Sequence, residues 1–227
     1  MRREPSTSEP TLKELPIVHT DTLDRARQEQ LSPADAAQLL RDGNARFRAN
    51  LRSNRDLIRQ VGETSEGQWP FAVVLSCIDS RTSAELIFDQ GLGDIFSVRI
   101  AGNFLNEDIL GSMEFACQVA GAKLIVVLGH SHCGAIKGAC DGVELGHLTD
   151  MLCKIEPAAD AVARAGQSGP RSSENAQFVD AVARENVRRC VDDVAKRSTV
   201  LAALLEAGSI DVIGGMYDVA TGEVEFF

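Results

Sequence analysis

The chain is short of basic residues, of long apolar runs and of cysteine on a stapling scale, and each shortage excludes a class of protein. Lys and Arg number 23 against 33 Asp and Glu, a formal charge of −10. No cationic surplus is left to neutralise a phosphate backbone, so nucleic-acid binding is not expected. No apolar run approaches the roughly 20 residues of a membrane span. The opening MRREPSTSEPTLKELP lacks the apolar stretch of a secretory signal, and the expected location is cytoplasmic. Six cysteines in 227 residues are too sparse for a disulfide scaffold. No internal repeat is visible. No G-x-G-x-x-G follows the apolar run at 71–76, and the GLGD of 91–94 precedes a strand, which argues against a dinucleotide site.

What is present has the texture of one globular domain, 44% hydrophobic and 25% charged. Residues 1–31 mix Pro, Ser, Thr and charges without period and read as a tail or arm. Ser32, Pro33 and Asp35 then form a helix start with a capping-box pattern. The helix of 32–50 carries Leu39, Leu40 and Phe47 on one side, interrupted by Gly43-Asn44, and its apolar face needs a core or a partner to cover it. From 71 to 227 the pattern is strand and helix in alternation. FAVVLS (71–76), DIFSVRI (94–100), KLIVVLG (123–129) and SIDVIGGMYDV (209–219) read as strands, with VEFF a final hairpin partner. Ile109, Met113, Ala116 and Val119 or Ala120 follow helical spacing. So do Val179, Val182, Val187, Cys190, Val191 and Val194, and a further helix stops near Gly208. The expected fold class is α/β: a single domain with a central, mostly parallel sheet flanked by helices, preceded by an N-terminal helical arm.

In such sheets ligands bind beyond the carboxyl ends of the strands. Cys77-Ile78-Asp79-Ser80-Arg81 follows the first strand, and His130-Ser131-His132-Cys133-Gly134 follows the third. Two neighbouring central strands would bring Cys77 to His130 and Cys133 across 53 positions of sequence. Two thiolates and an imidazole suit zinc, and three protein ligands leave the open position of a catalytic site. A single cysteine after an apolar strand is more often buried filler. Two such clusters at equivalent strand ends, each with ionisable neighbours, favour the metal. Cys117 and Cys190 fall on apolar helical faces and read as core, as do Cys140 and Cys153. His19 and His147 have no evident partner, and His132 points away if its neighbours point inward. Asp79 could ligate a metal itself, unless Arg81 holds its carboxylate bidentately and turns it aside. An exposed helix-entry ion pair is the plainer alternative.

CIDSR (77–81) together with GHSHCG (129–134) resembles the paired signature of the β-class carbonic anhydrases. The likeness extends through GNARF (43–47), QWP (68–70), GDIFSVRIAGN (93–103), GSMEFA (111–116), ENV (185–187) and GGMYDVATGEVEF (214–226), about four-fifths of the chain. It implies reversible hydration of carbon dioxide to bicarbonate and a proton by a zinc-bound hydroxide, with one Zn2+ per chain. By resemblance Cys77, His130 and Cys133 are the zinc ligands, and Asp79 with Arg81 is the dyad that orients the hydroxide. Gln68, Phe96, Ala101, Phe115 and Gly134 take the positions of the substrate pocket. The resemblance also implies a homo-oligomer, dimer or tetramer, with pocket residues shared across its interface and the 32–50 helix embracing the neighbour.

Phe115 replaces a common Tyr, and His132, a weak candidate for proton shuttling, replaces smaller or amide residues. Val74 stands where an allosterically inhibited subgroup has Trp, so an open site is expected, with Asp79 off the zinc. A carbon disulfide or carbonyl sulfide hydrolase of the same superfamily would carry the same ligand set. A zinc-stabilised binding protein without catalysis would show a damaged dyad, and Asp79, Arg81 and Gln68 are all present.

Overall fold

A computed structural model of the chain describes residues 21–166 and 168–227. Its strands are β1 (Ala72–Ser76), β2 (Ile95–Arg99), β3 (Leu124–His130), β4 (Asp211–Tyr217) and β5 (Val224–Phe226). The α-helices are α1 (Arg25–Gln30), α2 (Pro33–Arg48), α3 (Leu57–Glu63), α4 (Ala84–Ile87), α5 (Glu107–Glu114), α6 (Gly134–Asp141), α7 (Gly146–Leu152), α8 (Glu156–Ala165), α9 (Ala176–Arg197) and α10 (Thr199–Glu206). One sheet runs in the order β2-β1-β3-β4-β5, parallel throughout except for the antiparallel β4–β5 pair. The α/β architecture and every expected strand are present, the ends shifted by a residue or two.

β1 and β3 are buried at every position, which is why they read as continuous apolar runs and not as alternations. Their side chains feed two layers. Val73, Leu75, Ile125 and Val127 pack with Met113, Ile136, Phe178, Val182 and Val187, whereas Ala72, Val74, Leu124, Val126 and Leu128 pack with Ala36, Leu40, Phe71, Ile87 and Phe88. α9, the longest helix, supplies much of the first layer, and α2 and α4 much of the second.

The start of α2 follows the sequence reading closely. Ser32 caps the Asp35 N–H, and the Asp35 carboxylate accepts from the Ser32 N–H at 2.9 Å. The Gly43-Asn44 gap in the apolar face is itself buried. Gly43 is required because the helix lies against the Phe88 carbonyl, which a Cβ would meet at 1.7 Å. Asn44 donates to the Ile87 and Gly222 carbonyls and accepts from the Val224 N–H at 3.0 Å, joining α2 to β5.

The arm needs correction on two points. Ala36, Ala37 and Leu40 are buried on the chain's own sheet layer, so the apolar face of 32–50 demands no partner subunit to cover it. Within the expected 1–31 tail, residues 1–20 lie outside the described residues, but 25–30 is a docked helix. Gln28 is buried there, donating to the carbonyls of Pro70 at 2.7 Å and Ala120 at 2.8 Å. A third difference lies past α5, where Phe115–Val119 winds into a π-turn. The wider turn rotates Cys117 inward after Met113 and Ala116 and leaves Val119 70% exposed, so helical spacing misplaced it.

Gly43→Ala should fold poorly, since neither backbone can move aside. A loss of about 3 kcal/mol is expected from such overpacking, read as a fall in Tm of about 6–10 °C in thermal unfolding.

Candidate metal centre

In-register parallel pairing builds the centre. β1 and β3 align Ser76 with Leu128, so the residues that follow both strands emerge side by side. Cys77 follows β1 directly, His130 ends β3, and Cys133 returns after a tight turn in which His132 takes a left-handed φ of 57°. One donor atom from each of Cys77, His130 and Cys133 lies within 4.8 Å of the others, all three residues being buried.

The donors fit a zinc ion. Two Zn–S bonds of about 2.3 Å at a tetrahedral angle place the sulfurs about 3.8 Å apart, and the two Sγ atoms stand at 4.0 Å. His130 Nδ1 lies 2.9 Å from the Ser131 carbonyl. A neutral ring donating there presents its Nε2 lone pair, and that nitrogen is buried with no hydrogen-bond partner. The thiols are electrostatically unequal. A hydrogen bond from Cys133 pulls the Cys77 thiol well down against the cost of burial, with His130 and the Gly102 N–H assisting. The same Cys77 sulfur, together with burial, pushes Cys133 up. The first proton leaves easily and the second resists, so a cation between the sulfurs is what lets both be thiolates.

Asp79 does not join the gathered donor atoms. Its carboxylate is gripped within its own turn, taking the Arg81 Nε at 2.9 Å, Nη2 at 2.7 Å and backbone N–H at 3.0 Å. The Arg81 guanidinium therefore holds the Asp79 carboxyl far below the usual carboxylate range.

Sequence reasoning missed a set of residues behind these. Arg99, paired with Ser76 across the β1–β2 register, donates Nε to the Cys77 carbonyl at 3.0 Å and Nη2 to the Asp79 carbonyl at 2.6 Å. Thr82 Oγ1 lies 2.9 Å from each of the same two carbonyls. The Gly102 N–H points at Cys77 Sγ from 3.4 Å, and buried Asn186 donates to the Gly102 carbonyl at 2.9 Å. Asn186 had a signal in the ENV motif. Arg99 and Gly102 had one in GDIFSVRIAGN, where nothing singled them out from their neighbours.

The expected pocket residues are not gathered together. Ala101 adjoins Gly102 beside Cys77, and Gly134 opens α6 next to Cys133, where an added Cβ would meet nothing within 4 Å. Gln68 is exposed and sits beside Gly93, off the amino ends of β1 and β2. That is a strand's length, roughly 13 Å or more, from the cysteines. Phe96 and Phe115 pack edge-to-face with ring centroids 6.2 Å apart. They line an open groove of about 580 Å³ that no cluster residue borders. His132 is exposed toward a different groove, rimmed by Asp180, Arg184, Tyr217 and Asp218.

Among the other cysteines, burial raises the thiols of Cys117 and Cys190 to about 12 and of Cys140 to about 11, as befits core residues. Cys153 is exposed, against expectation. His147 is the second residue of α7; His19 is outside the described residues.

Residues 72–224 match the family model described as carbonic anhydrase. A carbonic anhydrase of Mycolicibacterium smegmatis is 38% identical over 201 residues, covering 86% of this chain and 93% of that protein. The chain belongs to the β-carbonic anhydrase family. Carbonic anhydrase 2 of Mycobacterium tuberculosis is 34% identical, covering 84% of this chain and 91% of its own. Among solved structures, the β-carbonic anhydrase CafA of Aspergillus fumigatus superposes with a TM-score of 0.66 at 27% identity, covering 75% of this chain and 81% of that one. As a family member this chain is a carbonic anhydrase enzyme with a candidate Cys-His-Cys metal site. No described helix is long and apolar enough to cross a membrane.

Cys133→Ala should abolish zinc binding in a chelator-competition assay, because two donors do not hold the ion tightly. Cys117→Ser should keep full zinc content, and its cost should appear only in the melting temperature.

Proposed function

We propose that this carbonic anhydrase hydrates carbon dioxide reversibly at a zinc ion held by Cys77, His130 and Cys133. The observation that carries the reading is the buried trio of donors, with its unpartnered imidazole nitrogen and closely set sulfurs. When bound, zinc supplies a Lewis acid that brings the pKa of a coordinated water down toward about 7, so a nucleophile is at hand in neutral solution. The protein's own groups do the rest. Arg81 keeps the Asp79 carboxylate ionised and off the metal, leaving it free to accept a proton-bearing oxygen's hydrogen bond and orient the nucleophile. Ala101 offers an apolar wall to a small apolar substrate. The Gly134 N–H, at the start of α6 where no side chain crowds it, is a donor for a developing carboxylate oxygen.

Gln68, Phe96 and Phe115 belong to the same pocket only if they come from a second copy. All three face solvent or an open groove within one chain, and a homo-oligomer would place that groove over a neighbour's zinc. This supports the shared-pocket expectation by a route different from the 32–50 helix.

Stopped-flow hydration of carbon dioxide, with zinc quantified on the same sample, tests the reading. Hydration far above the buffer rate with one zinc per chain is expected; stoichiometric zinc with turnover only of carbonyl sulfide would overturn it. Asp79→Asn should keep its zinc and lose roughly 100-fold or more in kcat, the scale of a misplaced acid–base group. The Asp79 carboxyl has a depressed pKa in the folded chain, so its contribution to stability is complete above about pH 4 and lost only as the solution turns strongly acid. Its titration should therefore leave no inflection in the pH–rate profile between pH 5 and 9. Mixing Gln68→Ala with Cys133→Ala protein should restore activity, because one site of each hybrid is intact. No gain on mixing, under conditions where subunits exchange, would put Gln68 outside the shared pocket.

A further inference from the structure

Arg99 reaches three acceptors, and all of them belong to the turn that carries the site. Nε bonds the carbonyl of Cys77, Nη2 bonds the carbonyl of Asp79 and approaches Thr82 Oγ1 at 3.5 Å. The two carbonyls flank Ile78, whose side chain is 60% exposed and offers the turn little packing of its own. The Asp79 carboxylate is bonded by Arg81, and both lie on the same short turn. A fork whose two halves are two residues apart fixes its own shape but not its direction. That direction is set by whatever anchors the peptide units on either side of the Ile78–Asp79 peptide, those that carry the Cys77 and Asp79 carbonyls.

Two groups do so. Thr82 belongs to the turn itself: its backbone N–H donates to the Asp79 carbonyl at 3.0 Å and its hydroxyl lies 2.9 Å from both carbonyls, so it ties the turn only to itself. Arg99 comes from outside the turn, on β2, whose register with β1 is locked by the sheet. Its planar guanidinium presents donors at fixed angles to two acceptors at once, which an ammonium does not do. The interaction is charge-assisted at both carbonyls.

We propose that Arg99 is a positioning residue for catalysis: by clamping the Cys77 and Asp79 carbonyls it aims the Asp79–Arg81 fork and holds the carboxylate away from the metal ligands. This inference rests on the hydration mechanism above. It adds a determinant of Asp79 orientation that lies on another strand, 20 positions further along the chain.

Arg99→Ala, Arg99→Lys and the native protein should be compared for zinc content, melting temperature, kcat, KM and crystal structure. The expected result for Arg99→Ala is retained zinc and a fall in kcat of about 10- to 100-fold, the range seen for partners one shell behind a metal site. KM should move less than about threefold, and the Asp79–Arg81 fork should be displaced in the crystal. Arg99→Lys should be intermediate, and guanidinium at non-denaturing concentration should restore part of the Arg99→Ala rate. A native kcat in Arg99→Ala overturns the assignment. So does a fork left in place, or a lost rate that only tracks lost zinc or lost folded protein and does not respond to guanidinium. Native protein that binds zinc without hydrating carbon dioxide would instead sink the hydration reading.

Discussion

The in-register parallel pairing of β1 with β3 is the constraint on which the rest depends. Neither strand carries more than one ligand within its own span, and the two cysteines are 56 positions apart. Only because Ser76 and Leu128 are neighbours do Cys77 and His130 leave the sheet at the same level. A slip of one residue would turn the alternate side chains of β1 into the wrong layer. The apolar burial on both faces therefore fixes the geometry of a polar site whose two cysteines are packed into the same core layer. The metal centre inherits its precision from Val73, Leu75, Ile125 and Val127.

Around that centre the charges are arranged in a graded way. Closest in is the thiol pair, where one ionisation assists and the next resists. Next is the carboxylate of Asp79, neutralised along its whole edge by a single guanidinium. Outside both, main-chain groups are held by Arg99, Thr82 and Asn186. Each layer limits the freedom of the one within it, and the outermost is fastened to strands and to α9, the stiffest parts of the molecule. The cost of the arrangement is visible in His132, a non-glycine residue in left-handed backbone between two proposed ligands.

The strands were legible because β1 and β3 are buried on both faces and so are apolar at nearly every position, Ser76 and His130 at their ends excepted. The ligand trio was legible because both polar clusters follow such strands directly. The expected pocket, and its sharing across a subunit interface, came only from the family resemblance: nothing in QWP or GSMEFA itself tells that Gln68 and Phe115 lie apart from Cys77 in one chain. Gly43 read only as a gap in the apolar face of the helix, since nothing in the sequence shows the neighbouring carbonyl that it admits. The π-turn at 115–119 was hidden because a single widened turn leaves composition unchanged while rotating Val119 out and Cys117 in. Arg99 was passed over because its partners are carbonyls, which every residue has.

The bonds made by the last strand pair have a temporal meaning. The Ser131 N–H is held by the Tyr217 carbonyl, and Ser131 Oγ takes the Val219 N–H, so the turn carrying His130 is braced by residues made more than 80 positions later. Asn44, made early, waits for Gly222 and Val224 across 178 and 180 positions. Contacts so distant in sequence close late and slowly. During translation the sulfur of Cys77 and the ring of His130 emerge long before the residues that brace the turn after His130. The candidate centre can therefore reach its final form only after the chain has been made through Val219, and the sheet layer behind it only after Val224.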